Sequence, residues 1–200
     1  MSVATTSGWL LFAGFAAQTI RISVPYTLAA VGATFSERGG VVNIALEGML
    51  LVGAFAAVLG THLTGSPWIG LACAVGAGAL LALVHAIVTV TLRADQIISG
   101  VALNLFAVGM TKFLLKMFFG SSSNSSRIEG LPAMSESLAK LPAIGGIVAN
   151  PLILAAVVLI VIAHVVLFRT RLGLRLRAVG EHPEAADTAG LSVTACATSG

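Results

Sequence analysis

Asn43 and Glu47 stand four positions apart near the start of a long apolar stretch, so on a helix they share one face. A carboxylate inside a membrane span is too costly to be turned to lipid, and that face is therefore expected to look into protein or a wet cavity, as part of a translocation pathway. The other reading of Glu47 is a hydrogen-bonded tie between two helices. Gln96, Gly100 and Asn104, with Ser99 beside them, form a second polar strip on a later apolar run, where they either line a pathway or join helices. A third set is Glu184-Ala185-Ala186-Asp187 with Gly190, an acidic, alanine-rich turn outside any apolar run. His85 has no evident partner and reads as a packing residue before a proton relay. No clustered nucleophile, metal-ligand set or pair of carboxylates converges, which argues against an enzyme.

The elements that position these residues follow from composition. Of 200 residues, 57% are apolar and only 10% charged, and the mean hydropathy of +1.00 lies far outside soluble averages. The chain reads as an all-α polytopic membrane bundle. A net charge of +3 could suggest nucleic acid, but four of the eleven basic residues fall between Arg169 and Arg177 and the rest are scattered or flank apolar runs. That distribution is a topology signal, and no nucleic-acid partner is expected. Cys73 and Cys196 lie far apart without metal-ligand spacing and imply neither a disulfide framework nor a zinc site.

About five spans are expected. No basic residue precedes the first apolar run, so it does not read as a cleaved signal peptide. Residues 9–35 exceed the roughly 20 residues one crossing needs, and two readings stand: an interfacial helix over 9–19 followed by a span over 20–35, or one long tilted helix bent at Pro25. Further spans are expected over 41–59, 68–92, 96–119 and 152–168. Gly70, Ala74, Gly78, Ala82 and Ala86 recur every fourth residue along the third span, a stripe that lets another helix approach closely. Asp95, in the polar turn Arg93-Ala94-Asp95, is placed to cap the fourth.

Residues 120–150, opening on Ser121-Ser122-Ser123-Asn124-Ser125-Ser126, read as an external loop, with a short surface helix conceivable over 133–141. If the end after Phe168 is cytoplasmic, the inside carries Arg38, Arg93, Arg169, Arg171, Arg175 and Arg177. The outside then carries Arg127 and Lys140, with Lys112 and Lys116 able to snorkel. Residues 169–190 form a cytoplasmic segment. Within it Pro183 suits the first helical position, Glu184 the positive helix N-terminus and Gly190 the left-handed stop. So short a helix is marginal alone, and a cytoplasmic protein partner is expected to hold it.

Three motifs, in order, carry a family resemblance. They are Ser36-Glu37-Arg38-Gly39-Gly40-Val41-Val42-Asn43-Ile44-Ala45-Leu46-Glu47-Gly48, Ala94-Asp95-Gln96-Ile97-Ile98-Ser99-Gly100-Val101-Ala102-Leu103-Asn104, and Arg177-Ala178-Val179-Gly180-Glu181-His182-Pro183-Glu184-Ala185-Ala186-Asp187-Thr188-Ala189-Gly190. Together they resemble the bacterial ABC importer permeases of the branched-chain amino acid, ribose and nucleoside group, and most of all its nucleoside or simple-sugar members.

The resemblance implies a multi-pass subunit of the bacterial inner membrane. Its implied partners are a second permease, an extracytoplasmic substrate-binding protein and a separate ATPase that binds ATP and magnesium, so no cofactor is expected in this chain. Consistent with that, the chain has no phosphate-cradling Gly-rich loop ending in Lys and Ser or Thr. It also implies that Glu184, Ala185, Ala186, Asp187 and Gly190 belong to a coupling helix that docks on the ATPase. Such permeases carry further spans beyond this segment, so the chain is expected to be one permease domain incomplete at its C-terminus. Nucleosides are the first expected substrate, simple sugars next and branched-chain amino acids third. Two other readings are a proton-driven secondary transporter with Glu47, His85 and His164 as relays, and a membrane scaffold without a pathway.

Overall fold

A computed structural model describes residues 8–128, 130–132 and 150–188, and every described regular element is helical. The elements are α1 (Gly8–Arg38), α2 (Leu46–Thr64), α3 (Pro67–Ala86) running on into a π-helical turn (Ile87–Thr91), α4 (Gln96–Phe119), α5 (Pro151–Arg169), α6 (Arg171–Glu181) and α7 (Pro183–Thr188). The conceivable surface helix over 133–141 lies outside the described residues.

Four helices are long and apolar enough to cross a membrane: α2, α3 with its π turn, α4 and α5. Each satisfies its backbone hydrogen bonds internally, as hydrocarbon requires. The chain is a polytopic membrane protein. α1 resolves the two readings of 9–35: it is a single 31-residue helix that continues through Pro25. It is long enough to span, but Gln18, Arg21 and its hydroxyl residues leave it outside the apolar set.

The chain falls into two units. One contains residues 1–30 and 131–163, the other 31–130 and 164–200. In the first, the described part of α1 turns its hydroxyls back on its own backbone, with Thr19 Oγ1 donating to the Phe15 carbonyl at 2.9 Å and Thr27 Oγ1 to the Ser23 carbonyl at 2.9 Å.

In the second unit, α2 packs on α3 where side chains are smallest. A Cβ on Gly70 would stand 2.6 Å from the Ala57 carbonyl oxygen, and one on Gly60 would stand 2.9 Å from Cys73 Sγ. The small-residue stripe of α3 therefore does bring a helix close, but only over its first half. A Cβ on Gly78 would meet nothing within 4 Å, so that position of the stripe makes no close contact among the described residues. At the far ends of α2 and α4, the His62 and Phe119 rings meet with centroids 5.1 Å apart.

The second span begins later than expected. α1 ends in a Schellman turn, with Val41 N donating to the Ser36 carbonyl at 3.0 Å and Gly40 N to the Glu37 carbonyl at 3.1 Å. Gly40 sits at φ +82, a conformation that disfavours any residue with a Cβ. Residues 41–45 then run as loop and turn, and α2 starts only at Leu46.

Candidate functional site

That late start corrects the first expectation. Asn43 lies in the turn before α2 and not on its face, so it does not share a helical stripe with Glu47. The reason is local hydrogen bonding: Asn43 Oδ1 accepts from Ala45 N at 3.1 Å, an alternative to helix that asparagine readily offers its own backbone. Glu47 lies in the first turn of α2, where the helix dipole favours a carboxylate. It is exposed within the chain.

The strip on α4 is brought together, and its partner is the backbone leading into α2. Gln96 Oε1 accepts from Val42 N at 2.7 Å. Asn104 Nδ2 donates to the Ile44 carbonyl at 2.9 Å, and its Oδ1 accepts from Gly48 N at 2.7 Å. Gly48 N is one of the amides that every helix leaves without an intrahelical partner in its first turn. Ala45, at the cap position, has no side chain to fill that role. Asn104 caps α2 from another helix. Between these clamps, Gly100 lets the chain pass: a Cβ there would stand 2.7 Å from the Ile44 Cβ.

Ser99, beside the strip, faces α3 instead. Its Oγ lies 3.1 Å from His85 Nδ1, so His85 does have a partner, fourteen residues on in sequence. His85 is 2% exposed and its Nε2 meets no hydrogen-bond partner among the described residues. Directly after it, Thr89 Oγ1 donates to the His85 carbonyl at 2.8 Å and the helix widens into the π turn. Arg93 then takes φ +53, and Asp95 Oδ1 accepts from Ile97 N at 2.8 Å and Ile98 N at 3.0 Å, the expected cap of α4. His164 lies with its ring 5.1 Å from that of Phe168.

The segment after Arg169 is built as two helices. Thr170 caps α6, accepting from Gly173 N at 3.3 Å, while its hydroxyl donates to the Val166 carbonyl at 2.6 Å. α6 buries Gly173, Leu176 and Val179, three residues at helical spacing. Leu176 Cδ1 would lie 3.1 Å from a Cβ on Gly39, and Gly180 lies directly against the Arg38 carbonyl. Phe168 completes the joint, with the Arg38 and Arg177 guanidinium carbons 5.9 Å and 5.3 Å from its ring centre, within cation–π range.

α7 follows after a break at His182, whose φ of −143 and ψ of 83 leave the helical region. It contacts α6, and Ala186 is its buried residue. Part of the support expected from a partner is thus supplied by the chain itself. Glu184, Ala185 and Asp187 are exposed. Gly190 lies outside the described residues.

Sequence reasoning missed the backbone partners of Gln96 and Asn104, the serine that meets His85, and the seat of α6 on the end of α1. The only signal for the last was glycine at 39, 40 and 180, where side chains are absent on both sides of a contact. Among the described residues, no group of three or more His, Cys, Asp or Glu could hold a metal ion.

The chain resembles known proteins along most of its length. It is 40% identical over 185 residues to the guanosine ABC transporter permease protein NupQ of Bacillus subtilis, a match covering 88% of this chain and 58% of the relative. It is 41% identical over 186 residues to the nucleoside ABC transporter permease protein NupC of Lactococcus lactis, covering 86% and 57%. To a putative glucose ABC transporter permease protein, TsgC13, of Haloferax volcanii, it is 37% identical over 188 residues, covering 90% and 56%. The chain therefore spans a little over half the length of these relatives. No solved structure matches it. Residues 15–198 match the model of the branched-chain amino acid transport system / permease component family, and with four membrane-crossing helices around that match the chain belongs to this family of transport permeases.

Proposed function

We propose that the chain is the permease portion of an ATP-driven importer that moves nucleosides or simple sugars across the bacterial inner membrane. Its partners in this reading are a separate ATPase that holds ATP and magnesium, a second permease and an extracytoplasmic substrate-binding protein. The observation that carries it is the construction of the segment after α5. A short helix with Glu184 and Asp187 exposed sits on an amphipathic helix, α6, that is itself wedged against the end of α1. A force applied to α7 would pass through α6 to the membrane-embedded chain without first being absorbed by a flexible linker.

The relatives' names supply the substrate class, and the motifs supply the coupling role of Glu184, Ala185, Asp187 and Gly190. Ala186 contributes by seating α7 on α6. In this reading, Gln96, Ser99 and Asn104 serve the pathway as struts that hold its wall, while Asn43 shapes the entry and Glu47 presents a carboxylate toward the path. ATP-driven closure would rock the helices so that access alternates between the two sides. Vesicles containing the full-length permease and its partners should accumulate guanosine or glucose only when ATP is supplied inside the cassette compartment, with an uncoupler having no effect. Uptake abolished by the uncoupler and indifferent to ATP would replace this reading with a proton-driven one.

A further inference from the structure

Away from the Asn104 clamp, at the other end of α2 and α4, lies an open groove of about 510 Å³. That volume falls inside the about 300–1,000 Å³ of typical small-molecule sites. Leu51, Phe55 and Val58 of α2 face Thr111 and Leu115 of α4 across it, and Asn124 stands on the rim with its two serine neighbours. The rim is held in a turn by Ser121 Oγ, which accepts from Ser123 N and Asn124 N, each at 3.3 Å.

Two observations separate this groove from a packing gap. Thr111 is 5% exposed, yet its hydroxyl has no hydrogen-bond partner among the described residues. Thr61 and Thr89 solve the same problem by bonding the carbonyl one turn back, each at 2.8 Å, and Thr111 does not. A hydroxyl that lines the groove without a protein partner is free to bond a solute that enters it. The second observation is the lining itself, which holds hydroxyls, one amide and an aromatic ring but no charged residue. An ion would find no countercharge there, and a hydrocarbon would leave Thr111 unsatisfied. The lining suits an uncharged solute that carries hydrogen-bonding groups on one side and an apolar face on the other.

We propose that this groove is a binding site for an uncharged, hydroxyl-bearing solute of nucleoside or monosaccharide size, bonded by Thr111 and Asn124 and laid against Phe55. The assignment rests on the importer reading for its choice of solute. By the arginine distribution the groove opens on the extracytoplasmic side, where an incoming solute would arrive.

The test uses the full-length permease with its partners in vesicles, carrying Ser125→Cys on the groove rim in a background of Cys73→Ala and Cys196→Ser. The rate of labelling by a membrane-impermeant maleimide is measured against rising guanosine, and separately glucose. Saturable protection by one of them is expected. Thr111→Val should raise the half-protecting concentration about three- to tenfold, the effect of one lost hydrogen bond, and Thr111→Ser should restore it. Labelling indifferent to both solutes, or a Thr111→Val variant protected like its parent, overturns the site. Uptake in the same vesicles reports separately: loss of ATP dependence there sinks the importer reading, while protection still decides the groove.

Discussion

Asn104 of α4 accepts the Gly48 amide of α2 at 2.7 Å, so one helix supplies the cap that the other lacks. The same side chain holds the Ile44 carbonyl at 2.9 Å, and both bonds are part-buried. Asn104→Leu should therefore cost about 1–3 kcal/mol through two orphaned backbone groups, read as a lower melting temperature of the detergent-solubilised protein. Gly48→Ala should act in the same direction, because its Cβ would stand 2.8 Å from Asn104 Oδ1. A melting temperature unchanged by both would show that the clamp carries no stability.

Ser99 and His85 form a buried pair in which one ring nitrogen has no partner among the described residues. Ser99→Ala should destabilise by about 1 kcal/mol or more, since it leaves the other nitrogen orphaned too. The double variant His85→Leu with Ser99→Ala removes the polar groups together and should be less destabilised than Ser99→Ala alone. Additive losses in a double-mutant cycle would contradict this.

Gly180 lies against the Arg38 carbonyl, and a Cβ there would also stand 3.1 Å from Gly40 N. Gly180→Val is expected to unseat α6 from the end of α1 while the spans still insert. Limited proteolysis should then cut between residues 170 and 188 faster in the variant than in the parent. Equal cleavage rates would show that α6 is held by something else.

Glu184 and Asp187 are exposed on α7, next to the buried Ala186 that seats it. Replacing both acids by Lys should reduce co-purification of the ATPase with the full-length permease at least severalfold and leave membrane insertion intact. Ala186→Leu should do the same by lifting α7 off α6, since a larger side chain does not fit a closed contact without strain. Undiminished ATPase recovery from both variants would remove the coupling role.

The membrane class, the spans expected over 68–92, 96–119 and 152–168 and the Asp95 cap were legible from residue order. In lipid, a helix must satisfy its backbone within its own length, so apolar runs and their punctuation are local signals. Only the tertiary structure decided that Asn43 stands outside α2, that the α4 strip bonds the backbone before α2, that His85 meets Ser99 and that α6 seats on α1. Asn104 and Ile44 are sixty positions apart, and which polar groups meet across such a distance depends on where helices cross. That crossing is set by small residues such as Gly70, Gly100 and Gly180 acting in pairs with surfaces elsewhere in the chain, and no single stretch of sequence contains both halves of such a contact.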